Sequence, residues 1–244
     1  MRRFAVAEWG TVLPDVWRRL RTGRLRAVPL TLAACLGILA LQLLQHTDDA
    51  EGLVDRLGGV YATLPWWQAL LRTPLSLFVP DASLPVWGLI IQVVVVFGIA
   101  ETTVGARRTL GVALLATLAG TGFARYSLWA GPDTFLGLPA QDLAVRDTGP
   151  SAAVVALGVY VACRYRAWAT AAAVVLAMVV EVVWVTNLAG FEHLAGVLTV
   201  LALSGGEAAL HRRGHDPARH PAGRRTRPWT PDRRPAPADH RRGR

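Results

Sequence analysis

The chain has 244 residues, of which 52% are hydrophobic and only 18% are charged, and its net charge is +9. A soluble domain is usually about one quarter charged, and here the apolar residues form blocks of about 15 to 22, which is the length of membrane helices. This composition argues against an ordinary soluble domain. It predicts an all-α, multi-pass membrane protein.

The amino-terminal segment, residues 1–26, is rich in arginine and precedes the first apolar run. It contains seven Arg and two acidic residues. No cleavage site of small residues follows the apolar run, so the run is predicted to be a membrane helix and not a signal peptide. Basic ends of a membrane protein are explained by topology and by attraction to anionic lipid, so no nucleic acid partner is expected.

Six apolar segments are predicted to span the membrane, and the charges between them set their direction. The spans lie near residues 27–45, 86–100, 109–130, 150–163, 168–187 and 192–210. Arginines cluster at the amino end, after spans two and four, and in the tail, whereas acidic residues dominate the other loops. The positive-inside rule therefore predicts that both termini are cytoplasmic. The predicted location is a cell membrane, specifically a bacterial plasma membrane.

Three regions follow from this pattern. A basic cytoplasmic segment (1–26) precedes a six-span membrane domain (27–210), and an Arg- and Pro-rich tail (211–244) is predicted to be disordered. The long first outer loop contains an apolar stretch at 61–72 with paired tryptophans, which predicts a helix in the headgroup layer. Spans two and four are short, which suggests helices buried in the bundle or a locally thin membrane.

Two polar residues stand at the outer starts of two different spans, at the same predicted depth. Ser151 opens span four and His193 opens span six. Polar side chains in lipid are costly without a partner, and a Ser–His pair is a nucleophile–base unit. Gly196, one turn below His193, allows close approach of a neighbouring helix. The alternative is that neither residue has a functional role, because Ser is common in the first turn of helices and a His at a membrane interface is often only half solvated.

The sequence around Ser151 is typical of a helix start that favours negative charge. Gly149 permits a tight turn, Pro150 suits the first helical turn, and the first N–H groups of a helix have no helical acceptor. A developing oxyanion would be stabilised there. The candidate oxyanion or substrate-binding region is therefore Gly149, Pro150 and Ala152.

Three stretches, taken in order, resemble the rhomboid family of six-span intramembrane serine proteases. Glu101 and Gly105 resemble the family's Glu-x-x-x-Gly turn after its second helix, and Arg108 follows them. Residues 149–152 resemble its Gly-x-Ser-Gly nucleophile motif, and residues 193–196 its His-x-x-Gly start of the sixth helix. The resemblance covers roughly residues 27–210. It implies a Ser151–His193 dyad, structural roles for Glu101, Gly105 and Gly196, and an interfacial helix in the first outer loop.

The chain also departs from the family at the oxyanion donors. Residues 76–85 align without gaps on the loop before the family's second helix, and the family's donor His and Asn fall at Pro85 and Leu89. Neither side chain here can donate a hydrogen bond. The glycine after the nucleophile is Ala152. Loss of one oxyanion donor lowers the rate roughly 100- to 1,000-fold.

Two functions remain open on the sequence. The first is an intramembrane serine endopeptidase that cleaves membrane segments near the outer face, and the second is a non-catalytic rhomboid-like protein that binds or escorts membrane helices. A small transporter is a weaker third reading, because only Glu181 lies near the midplane. Asn187 or Glu192 are candidates to orient His193. Cys35 and Cys163 form neither a disulfide framework nor a metal spacing, and neither a metal nor an organic cofactor is expected.

Overall fold

The computed structural model describes residues 8–47, 50–81, 85–134, 136–185 and 187–214. Across these residues the chain is almost entirely helical, and the only extended pairing is an isolated bridge between Val60 and Asp147. The all-α prediction is therefore confirmed for the described part of the chain. Nine α-helices follow in order: α1 (Val12–Gly23), α2 (Pro29–Gln45), α3 (Glu51–Gly58), α4 (Trp66–Ser76), α5 (Val86–Val104), α6 (Ala106–Ala130), α7 (Ser151–Arg164), α8 (Trp168–Val185) and α9 (Leu188–Gly214).

Each of the six predicted spans coincides with one helix, namely α2, α5, α6, α7, α8 and α9. Among the described residues, three helices are long and apolar enough to cross a membrane: α5, α8 and α9 as far as Arg212. A fourth candidate is Val12–Ala27 taken together with α2, two pieces that are bent by 56°. These helices are compatible with a multi-pass membrane protein.

The basic amino-terminal segment contains a helix that the sequence analysis did not predict. Val12 and Val16 are buried one turn apart, and the arginines of α1 point to the exposed side, so the helix is amphipathic. A 3-10 turn, Arg24–Ala27, then breaks the chain before Pro29 starts α2. Proline at the first helical position fixes this start, because its ring sets φ and no N–H is needed there.

Carboxylates cap two helices at the end of the bundle that carries the amino-terminal segment. Glu101 of α5 is 5% exposed and accepts hydrogen bonds from the backbone N–H groups of Leu30 and Thr31 and from the Thr31 hydroxyl, each at 2.8 Å. Glu8 accepts from the N–H groups of Ala169 and Thr170 at the start of α8. The hydrogen bond from the Thr170 hydroxyl, with these backbone bonds, lowers the pKa of Glu8. Both carboxylates satisfy orphan donors at helix amino termini.

The end of α5 differs from the predicted span, which stopped at residue 100. The helix continues to Val104 because its polar residues are satisfied locally or by another segment: Glu101 caps α2, and the Thr102 and Thr103 hydroxyls donate to the Gly98 and Ile99 carbonyls. Gly105 then turns the chain with φ of 89°, a conformation that favours glycine.

The centre of the bundle is α7, which lies among α5, α6 and α8. It has 14 residues, of which nine are buried, so it fits the prediction that a short span is buried in the bundle. Leu157 and Tyr160 pack with Phe97 in the main core. By contrast, Ala171 is the only buried residue of α8, and the other residues of this helix are mostly apolar.

The long loop between the first two predicted spans folds into α3 and α4, and α4 contains most of the apolar stretch that was predicted to be helical. Arg72 donates to the Gly59 carbonyl at 2.9 Å, and Tyr61 donates to Asp55 at 2.6 Å. Arg125 of α6 donates to the carbonyls of Tyr61 and Leu64. Hydrogen bonds from Arg125 to backbone carbonyls therefore hold the loop against α6.

The chain divides into two units at Glu207. Of the second unit, 208–244, the structure describes only 208–214, which are helical. The helix α9 runs on to Gly214, four residues into the segment that was predicted as the tail. The predicted disorder of residues 215–244 lies outside the described residues.

Candidate functional site at the starts of α7 and α9

Ser151 is the first residue of α7, as predicted, and a tight turn sets its position. Gly149 has φ of 111° and donates its N–H to the Ser76 carbonyl at 2.9 Å. Pro150 has no N–H, and its carbonyl accepts from Val154 at 2.8 Å to begin the helix. Because no side chain caps α7, the N–H groups that remain for a ligand begin at Ser151 and Ala152.

His193 lies in the second turn of α9, because the helix starts at Leu188, four residues before the predicted span. Asn187 explains the earlier start, since its side-chain oxygen accepts from the Gly190 N–H at 2.7 Å and caps the helix. Asn187 is therefore occupied as a cap and does not orient His193.

Two contacts bring the segments of Ser151 and His193 together. A Cβ placed at Gly196 would lie 3.5 Å from the Ala152 carbonyl oxygen and 3.5 Å from that of Ala116, so α9 packs closely on α7 and α6. Within the described residues no hydrogen bond joins Ser151 to His193, and His193 Nε2 is buried with no hydrogen-bond partner. The structure thus brings the helix starts together and leaves Nε2 unbonded.

The second contact is a pair of buried carboxyl groups. Asp147, four residues before Ser151, interacts with Glu192, the neighbour of His193. The Thr121 hydroxyl donates to Asp147 Oδ2 at 2.6 Å, and burial raises the pKa of Asp147 despite this bond. The pair lines a cavity of about 10 Å³, close to the space that one water molecule needs.

A carboxylate on α8 contacts the imidazole of His193. Glu181 Oε2 lies 3.3 Å from His193 Nδ1, and the two side chains are 28% and 13% exposed. The sequence analysis placed Glu181 near the midplane and did not place it beside His193. The sequence did contain a signal for this contact. Glu181 and His193 lie a turn or more before and after the break near Asn187, so in two antiparallel helices they lie at the same depth.

Comparison with protein-family models, with curated proteins and with solved structures gives no match. The rhomboid resemblance therefore rests on the sequence motifs quoted above alone.

The structure also places Pro85 and Leu89, the two residues that align with the oxyanion donors of the rhomboid family. Pro85 is the residue before α5, and Leu89 packs against the main hydrophobic core. Neither offers a side-chain donor. Residues 82–84 of the aligned stretch lie outside the described residues.

Proposed function

We propose that this chain is a rhomboid-type intramembrane serine endopeptidase with six membrane spans, cytoplasmic termini and a Ser151–His193 dyad. The observation that carries the proposal is the packing of Gly196 against Ala152, with an unbonded imidazole nitrogen one turn away. A general base needs a free lone pair near its nucleophile, and close helix contact provides that proximity. The substrate class is a membrane segment of another protein, cut near the outer face.

In this mechanism His193 Nε2 accepts the Ser151 hydroxyl proton as the serine oxygen attacks a peptide carbonyl carbon. The imidazolium then gives that proton to the leaving amine, and the C–N bond breaks. Water, deprotonated by His193, hydrolyses the acyl-enzyme and regenerates Ser151. The oxyanion is stabilised by N–H groups at the start of α7, which carry the positive end of the helix dipole.

The topology has support from the distribution of charge. Arginines gather at the ends of the helices that are assigned to the cytoplasmic side, and α1 exposes Trp17 and Arg21, with the guanidinium 4.7 Å from the ring centroid. An amphipathic helix with Trp and Arg binds an anionic lipid surface. We therefore propose a bacterial plasma membrane, with α1 in contact with anionic lipid of its cytoplasmic leaflet.

The test is covalent labelling of the full chain in detergent with a fluorophosphonate probe. Wild-type protein should label, and Ser151→Ala and His193→Ala should not. Ser204→Ala is the matched control, because Ser204 is a serine of α9 whose hydroxyl oxygen is buried and has no hydrogen-bond partner among the described residues. Labelling that persists in Ser151→Ala would contradict the assigned nucleophile.

The second candidate is a non-catalytic rhomboid-like protein that binds or escorts membrane helices. Pro85 and Leu89 favour it, since the side-chain part of the oxyanion hole is missing and Leu89 belongs to the apolar packing. A folded protein that fails to label, yet retains a co-expressed membrane helix during purification, would favour this second function over the protease.

A further inference from the structure

The carboxylate of Glu181 is the least expected feature of α8. That helix is otherwise apolar and mostly exposed on the bundle surface, where an ionisable side chain is costly in lipid unless it has a partner. Its partner here is His193, with Oε2 3.3 Å from Nδ1. The two buried carboxyl groups near Ser151 and His193, those of Asp147 and Glu192, interact with each other.

The local backbone makes room for this contact. A Cβ at Gly190 would lie 3.6 Å from Glu181 Cγ, 3.3 Å from Val182 Cγ2 and only 3.1 Å from the side-chain oxygen of Asn187. A side chain at position 190 would therefore press on the Asn187 cap and on Val182, the residue next to Glu181. Glycine at this position lets α8 and α9 meet where Glu181 reaches His193.

The contact has a chemical consequence for the imidazole. An ionised carboxylate only accepts hydrogen bonds, so a neutral imidazole bonded to it through Nδ1 must carry its proton there. Its lone pair is then on Nε2, the atom that is buried and unbonded among the described residues. This is the tautomer that a base needs to accept a serine proton.

We propose that Glu181 is a positioning residue that holds His193 in the Nδ1–H tautomer, so that the site is a Ser151–His193–Glu181 triad. The proposal rests on the proposed protease function. A distance of 3.3 Å is long for an N–H···O bond, and such bonds tighten when the reacting complex forms. Glu181 thereby supplements a site whose side-chain oxyanion donors are missing.

The test combines two readouts on full-length protein in detergent. The first is the tautomer of His193, read from ¹⁵N chemical shifts of histidine-labelled protein and assigned with His193→Gln. Wild type should show a protonated Nδ1 and an unprotonated Nε2. Glu181→Leu should lose this preference, whereas Glu181→Gln, whose amide oxygen still accepts, should retain it in part.

The second readout is the rate of fluorophosphonate labelling of Ser151. Loss of the orienting acid in soluble triads costs about 10⁴-fold. For this longer, partly exposed contact we expect at least about a tenfold loss in Glu181→Leu and a smaller one in Glu181→Gln. Glu207→Gln is the matched control, because Glu207 is 25% exposed and pairs with Arg108 elsewhere in the bundle.

The outcomes separate the two proposals. Absence of labelling in wild type overturns the protease function before any Glu181 variant is made. A wild-type rate and an unchanged tautomer in Glu181→Leu overturn the role of Glu181 alone. An equal loss of labelling in Glu207→Gln would mean that the effect is general destabilisation, which also overturns it.

Discussion

The approach of α9 to α6 predicts opposite effects for alanine at two glycines on the same helix. Gly120 faces α9, and a Cβ there would lie 3.0 Å from the Glu192 carbonyl oxygen, 3.2 Å from Glu192 Cβ and 3.3 Å from Glu192 Cα. Two of these three atoms belong to backbone, so the neighbour cannot rotate away. At Gly122, two residues further along α6, a Cβ would meet nothing within 4 Å among the described residues.

The magnitudes follow from two opposing terms. Alanine stabilises a helix interior by roughly 0.5–1 kcal/mol relative to glycine. Gly122→Ala should gain that amount, because no contact opposes it. Gly120→Ala gains the same term but must separate two helices, and overpacking of this kind costs about 1–3 kcal/mol. We therefore expect Gly122→Ala to be the more stable variant by about 1–3 kcal/mol.

Thermal unfolding in detergent measures this difference directly. Cys35 and Cys163 are free, partly buried thiols, so a thiol-reactive dye reports unfolding of the native chain without added probes. Wild type should melt between the two variants, with Gly120→Ala lowest. A melting temperature of Gly120→Ala at or above that of Gly122→Ala would refute the close contact between α6 and α9, and with it the packing on which the site depends.

Three further predictions test the same end of the bundle and the caps. Burial raises the pKa of Asp147, which lies next to Glu192 and Arg125. The contribution of this group to folding stability is therefore fully present at or below about pH 3.8 and is lost as pH rises through the raised pKa. The melting temperature should fall over that pH range, and Asp147→Asn should flatten this dependence on pH. Glu101→Gln replaces one of the two accepting oxygens by an amide donor, so at least one of the three donors loses its acceptor. This change should cost about 1–3 kcal/mol, measured by the same dye assay. Gly196→Ala meets only ordinary contacts and should retain labelling, whereas Gly196→Leu should abolish it with the bundle still folded.

Hydropathy located the six long apolar helices of this chain, but it did not locate their ends. Each apolar run corresponds to a helix because long apolar segments must satisfy their backbone internally. The ends depend on individual polar residues: α5 extends because Glu101 finds donors in α2, and α9 begins early because Asn187 caps it. The helix in residues 12–23 was missed because its arginines concealed a short amphipathic pattern.

The positions of Ser151 and His193 were predictable because each opens an apolar run. The partners of these two residues were not predictable. A single sequence indicates the depth of a residue in the membrane, but not the direction in which it faces around the helix axis. Glu192 was considered as an orienting group for His193, yet its side chain interacts with Asp147 across the bundle. Glu181 contacts His193 instead, because α8 and α9 approach each other at Gly190.

The capping carboxylates and the polar groups near Ser151 differ in how fully they are bonded. Glu101 and Glu8 each accept three hydrogen bonds from helix starts, so they stabilise the fold. Near Ser151, by contrast, His193 Nε2 and Glu192 Oε1 are buried without a hydrogen-bond partner among the described residues. Each such group costs about 1–3 kcal/mol, and an apolar side chain of similar shape would avoid that cost. Polar groups without a partner in the described part of the chain therefore lie close to Ser151, and functional sites are where proteins retain such groups. This argument applies to both proposed functions, and only the protease also requires the unbonded atom to be His193 Nε2.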